Sequence, residues 1–275
     1  MTEEVPPFEL RRPRGARLPV LVEVPHAGLH FPDDAAALCT APPSAVRADA
    51  DPGADRLFDG VVARGATLLV ARWSRYVADL NRDETDHDAR SVAGSARADG
   101  AAQGVVWSAT TSGLPALARP LARTELETRL ARLHRPYHAA LQAELAALQA
   151  EHGQVVLLSG HTMPSRGVAT DGRTPPRRAD VVPGSRGRST AAPGVLDAVT
   201  AHFRGAGLSV RPDDPYRGGA TTARYGAPGR GVHAVQLEMN RALFVDEATL
   251  RLRDDAVTWL RGLVAALVPR LAGAR

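Results

Sequence analysis

A chain of 275 residues, 44% of them hydrophobic and with a formal charge of only +4, is long enough for one large α/β domain and too weakly charged to read as a nucleic-acid binder. All 34 basic residues are arginine, which excludes lysine Schiff bases and the lysine of a phosphate-binding loop. A lone Cys39 forbids an internal disulfide, no apolar leader opens the chain, and the run Trp259–Val268 is too short to span a bilayer, so the sequence predicts a soluble cytoplasmic protein.

Residues 1–17, with Arg11, Arg12, Arg14 and Arg17, read as a solvated N-terminal arm, because no aromatic residues interleave the arginines. Pro19–Val24 then supplies branched apolar residues suited to a central strand of a mainly parallel sheet. Pro25 ends the ladder, and His26 is released before Gly28 turns the backbone away. Asp33–Leu38 reads as a short helix. The acidic turn Asp49-Ala50-Asp51-Pro52-Gly53-Ala54-Asp55 precedes a helical pattern closing at Gly65. Ala66–Ala71 is a second strand and Ser74–Leu80 a third extended piece. From 84 to 120 the chain lacks periodicity, as a long functional loop or inserted lobe would. A capping box at Thr124 and Glu127 opens a long amphipathic helix kinked at Pro136 and ending at Gly153. Gln154–Ser159 is a strand releasing His161, and Pro164–Arg178 is an arginine- and proline-rich loop. Val181-Val182 is a short strand and Pro193–Gly205 a helix. Val232–Leu237 is a strand delivering Glu238, and Asp246–Ala272 a terminal helix.

Strands that end at histidine, histidine and glutamate, with an acidic turn between them, supply the parts of a hydrolytic metal site. Catalytic zinc takes His, Asp and Glu ligands and keeps one position for water. The assignment is His26, Asp51 and His161 as ligands, with Glu238 as the proton shuttle. His134 and His138 stand four apart like a zincin pair, but Arg135, Pro136 and Tyr137 intervene and no glutamate base does, so a structural role is expected. Asp49, Asp55, His30 and His233 are further possible ligands or partners of ligands. The asparagines of the chain are Asn81 and Asn240, each followed by an arginine. The guanidinium fork of Arg82 beside the amide of Asn81 suits a substrate carboxylate.

Six blocks in order carry a family resemblance: Val24-Pro25-His26-Ala27-Gly28, Asp49-Ala50-Asp51, Ser74 through Arg82, Arg135-Pro136-Tyr137-His138, Gly160-His161-Thr162-Met163, and Gly231 through Glu238. The chain resembles the N-formylglutamate amidohydrolase (formylglutamate deformylase) family, relatives of the zinc carboxypeptidases and aspartoacylases. The resemblance implies a single domain over 1–275. It also implies a phosphorylase/hydrolase-like, zinc-exopeptidase-like three-layer sandwich with a mixed, mainly parallel sheet. It further implies one zinc, or another divalent metal, per chain, and release of formate from N-formyl-L-glutamate in histidine degradation. Arg75 would stabilise the oxyanion, and Arg82 with Asn81 would hold a carboxylate of this small-molecule substrate. Two departures stand out: Ser159 replaces the family's usual aspartate, with Thr162 for serine, and Thr222-Ala223-Arg224-Tyr225-Gly226 replaces Thr-Arg-His-Tyr-Gly. The rival readings are a deacylase or carboxypeptidase-like hydrolase of another N-acyl amino acid, and a non-catalytic anion binder using the arginines of 166–188.

Overall fold

The computed structural model describes residues 5–97, 100–167 and 174–274. The opening Met1–Glu4 of the expected arm and residues 168–173 of the arginine-rich loop lie outside them. Six strands, β1 (Phe8–Arg11), β2 (Val20–Val24), β3 (Thr67–Ala71), β4 (Val155–Met163), β5 (Val181–Gly184) and β6 (Val232–Asn240), form a sheet in the order β1-β3-β2-β4-β6-β5. The chain clusters into two compact units. One comprises the segment up to Glu9, Pro25–Asp51 and Val70–Gln142; the other comprises Leu10–Val24, Pro52–Leu69 and the chain from Ala143 onward.

The second unit carries the sheet's centre. β2 runs parallel to β4, with Glu23 opposite Ser159, and β4 runs parallel to β6, with His161 opposite Glu238. β5 is antiparallel to β6, which makes the α/β sheet mixed, as expected. Every residue of β2 and β4 is buried, and the continuous apolar runs reflect cover on both faces. The helix Asp254–Ala272 packs on Ala54–Phe58 and the turn Asp59–Arg64. Leu260, Val264, Leu267 and Leu271 are buried on one element and Leu57, Phe58 and Val61 on the other. Each such side chain contributes about 1.5–3 kcal/mol. Gly160 has a packing reason: a Cβ there would lie 2.6 Å from the Phe58 ring. The glycine thus lets that ring press on β4 between Ser159 and His161.

The first unit is built from short helices and ordered loops. It holds Asp33–Ala36, Pro43–Asp49, Arg123–Arg129, a π-helical turn Leu130–His134 and the start of the helix Arg135–His152. The aperiodic stretch 84–120 contains isolated bridges and no longer strand among its described residues. It is pinned by the buried Asp88 carboxylate, which accepts from the Arg90 side chain and the Gly100 N–H. Tyr76, Trp107, Val46 and Ala116 form an apolar cluster in this unit.

Several expected elements are corrected. Ser74–Leu80 is a run of turns, because the Val77 N–H bonds the Ser74 carbonyl and the Asp79 N–H that of Val105. The long helix is interrupted by the π turn, in which the Arg135 N–H reaches back to Leu130 O just before Pro136, a residue with no N–H to give. Its N-terminus lies earlier than the box at Thr124 implied, since Glu125 reaches back to the Ala122 N–H at 2.6 Å. The arm is partly strand β1, and Arg12 and Arg17 bond Glu144, whose buried carboxylate demands cations. The terminal helix starts at Asp254 rather than Asp246. A hairpin, Val245–Asp246 with Arg251–Leu252, occupies the difference, its turn held by Asp246 accepting from the Ala248 N–H. Among the described residues no helix is long and apolar enough to cross a membrane.

Candidate active site

In the first unit, His26 follows directly from the end of β2 through Pro25. Its side chain is 2% exposed, and Nε2 lies 2.8 Å from Asp79 Oδ1. An ionised carboxylate only accepts, so Nε2 carries the proton and Nδ1 presents its lone pair. Nδ1 lies 3.6 Å from Asp51 Oδ2, and the Asp51 N–H bonds the His26 carbonyl, fixing the two residues together. Two acceptors brought this close are what a cation would join. The extended Ala50 (φ −68°, ψ 175°) separates the roles of its neighbours. Asp49 accepts from the Tyr76 hydroxyl and from the N–H and hydroxyl of Thr111, so it is a scaffold residue and not a ligand.

Asp79 is the residue that sequence reading passed over, although it lies within the Ser74–Arg82 block. Its Oδ1 also accepts the Asn81 N–H at 2.9 Å. Its Oδ2 accepts Arg75 Nε and Nη2 at 3.1 and 2.7 Å and Trp107 Nε1 at 3.0 Å. Burial opposes its ionisation, but the adjacent Arg75 and then His26 outweigh that and hold the carboxyl well below the usual carboxylate range. Arg75 lies over the Trp107 ring, 4.4 Å from its centroid, and donates through Nη1 to the Asp49 carbonyl. Its charge is therefore clamped in place beside the carboxylate that orients His26.

Asn81 is buried, and the groups around it are tied down. Arg82 donates through Nε to Gln103 O and through Nη1 to Asn81 O. His134 and His138 do not form a zincin pair: His138 Nε2 meets Leu80 O and His134 Nε2 meets Arg82 O, each at 3.0 Å. The expected structural role is what the structure shows.

In the second unit, His161 and Glu238 are register partners on adjacent parallel strands, inside the strands and not beyond their ends. Ser159, two residues before His161 and on the same face, places Oγ 3.0 Å from His161 Nε2, so Nδ1 is the nitrogen suited to a ligand. Gln236 donates through Nε2 to Glu238 Oε1 and accepts the Gly219 N–H, both at 2.9 Å. On the opposite face Thr162 accepts from Arg241. Asn240, two residues past Glu238, donates through Nδ2 to the carbonyls of Arg178 and Ala179, so this second Asn-Arg pair is structural. His26, Asp51 and His161, all buried, make up a donor set compatible with a metal ion.

The profile of the N-formylglutamate amidohydrolase family matches residues 18–245. The chain belongs to the N-formylglutamate amidohydrolase family. Two N-formylglutamate deformylases from Pseudomonas resemble it over most of their length. That of Pseudomonas aeruginosa is 31% identical over 262 residues, covering 93% of each chain, and that of Pseudomonas putida is 30% identical over 234 residues, covering 84% of this chain and 83% of the other. The crystal structure of N-formylglutamate amidohydrolase from Ralstonia eutropha JMP134 superposes with a TM-score of 0.87 at 29% identity, covering 98% of both chains. The six blocks that first suggested N-formylglutamate amidohydrolase all fall within the matched span.

Proposed function

We propose that the protein is a metal-dependent amide hydrolase that takes N-formyl-L-glutamate and water to formate and L-glutamate. Relatives named N-formylglutamate deformylase, aligned over up to 93% of the chain, support the reaction. The observation that carries the site is His26, whose Nε2 is bonded to Asp79 so that Nδ1 faces Asp51. A carboxylate behind a ligating histidine is the usual support of a zinc ligand, and two imidazoles with a carboxylate suit zinc in a catalytic site. His26, Asp51 and His161 are proposed to hold that ion, about one per chain. When bound, zinc supplies Lewis acidity toward the formyl carbonyl and toward water. Glu238 takes the proton of the attacking water and delivers it to the departing amine nitrogen. Arg75 supports the negative charge that develops on the carbonyl oxygen, and Asn81 with Arg82 holds a substrate carboxylate. We further propose that the fold is a zinc-exopeptidase-like three-layer sandwich and that the reaction is a cytoplasmic step of histidine degradation.

The test pairs metal content of the purified protein with formate release from N-formyl-L-glutamate, before and after chelation and zinc restoration. Zinc near one per chain with chelator-sensitive formate release is the expected result. Absence of bound metal after incubation with excess zinc overturns the metal assignment. Zinc without formate release moves the substrate to another N-acyl amino acid, a second reading favoured by the altered sequence Thr222-Ala223-Arg224-Tyr225-Gly226.

A further inference from the structure

The helix that carries His134 and His138 ends its aromatic side chains on one short turn. Leu80 O accepts from His138 Nε2 and Arg82 O from His134 Nε2, so the donated bonds straddle a single residue, Asn81. A backbone carbonyl only accepts, so each Nε2 carries its proton. Histidines four apart share a helix face, and here their rings lie 4.4 Å apart, centroid to centroid. The π turn Leu130–His134 and Pro136 fix where that face points, and Tyr137 anchors it edge-on against Phe8 at 5.6 Å. The backbone of Asn81 is also engaged, its N–H by Asp79 and its carbonyl by Arg82 Nη1.

We infer that His134 and His138 are positioning residues for substrate recognition, holding the Leu80-Asn81-Arg82 turn rigid so that the Asn81 amide and the Arg82 guanidinium meet a substrate carboxylate without rearrangement. The inference rests on the assignment of Asn81 and Arg82 as the carboxylate grip. Pre-set donors cost little ordering when the ligand arrives, so their loss appears in binding. Asp79, which orients His26, accepts the Asn81 N–H of this turn, and its other carboxylate oxygen is held from outside the turn by Arg75 and Trp107. Loosening the turn therefore weakens the grip while leaving the chemical step in place. This assigns a purpose to the Arg135-Pro136-Tyr137-His138 block.

The experiment compares wild type, His138→Leu, His138→Gln, His134→Gln and Arg82→Ala on N-formylglutamate and on its two monoamides, each lacking one carboxylate. His138→Leu raises KM for N-formylglutamate roughly ten- to a hundred-fold with kcat within about twofold. His138→Gln and His134→Gln, whose amide nitrogens keep a donor at similar reach, return KM to within severalfold of wild type. On the monoamide lacking the gripped carboxylate, wild type and His138→Leu perform alike. Equal loss on all three substrates, or a fall in kcat at constant KM, overturns the proposal. Arg82→Ala separates the two levels: unchanged KM in that variant removes the grip itself, whereas raised KM there with unchanged KM in His138→Leu removes only the positioning role.

Discussion

His26 donates its Nε2–H to Asp79 Oδ1 across 2.8 Å, and that single bond decides which nitrogen of the imidazole looks at Asp51. Asp79 is also the anion ion-paired with the part-buried Arg75. Replacing it with asparagine lets Nε2 meet an amide of either polarity and takes from Arg75 its hydrogen-bonded counter-charge. Asp79→Asn is expected to weaken zinc affinity about 10- to 100-fold and to cost about 3–5 kcal/mol of stability. Zinc titration and denaturant unfolding read the two effects, and a variant normal in both would show that His26 is oriented by other means.

Gln236 ties the proposed base to the backbone at Gly219. Glu238→Gln should keep its metal and lose about 10²–10⁴ in turnover. Gln236→Leu should lower kcat about tenfold by removing its hydrogen bond to the Glu238 carboxylate, since a hydrogen bond to a charged group is worth about 1.5–3 kcal/mol. In the Glu238→Gln background the same Gln236→Leu change should add less than about twofold. Additive losses would mean that Gln236 acts on something other than Glu238.

The contact between Phe58 and Gly160 predicts a conditional penalty. Gly160→Ala puts a methyl group within van der Waals overlap of the ring, so it should destabilise by about 1–3 kcal/mol. Phe58→Leu in the same chain should recover part of that loss, measured by thermal or denaturant unfolding. No recovery would place the strain in the backbone of β4.

Acid should destabilise the second unit through its own histidines. Burial lowers the pKa of His202, whose Nε2 meets Leu263 O at 2.8 Å, and of His233, whose Nδ1 accepts the Ala192 N–H. The unfolded chain therefore binds these protons first as pH falls. The stabilisation is whole above the unfolded value near 6.5 and is lost as pH drops toward the lower folded values, by at most about 1.4 kcal/mol per pH unit per histidine. Unfolding midpoints from pH 7.5 to 5 should fall, and His202→Gln should flatten the slope. An unchanged slope in that variant would exclude His202 from the effect.

Much of the fold is legible in the sequence alone. The apolar runs at Val20–Val24, Val155–Leu158 and Val232–Leu237 announce parallel strands because fully covered strands need no polar alternation. Pro25 beside His26, and the polar His161 and Glu238 that break the apolar runs of β4 and β6, mark where chemistry could collect. Asp79 was not legible, because its importance comes from meeting His26 fifty-three residues away, a pairing no local pattern encodes. Ser74–Leu80 misled for a related reason: its apolar residues are buried in turns, where burial has no fixed period. The Asp49-Ala50-Asp51 block showed two equal carboxylates, and only the extended conformation at Ala50 separates scaffold from ligand candidate.

Ser159 leaves the two histidines unlike each other. The ring of His26 leans on an anion, Asp79, while that of His161 leans on a neutral hydroxyl. An anion behind an imidazole makes it a more basic electron donor, and a hydroxyl does so far less. Any ion held by both is gripped unevenly, with His161 the weaker arm. Exchange of the proposed ion would then begin on β4, and the rate of its loss would be a property that one side chain, serine or aspartate at position 159, tunes.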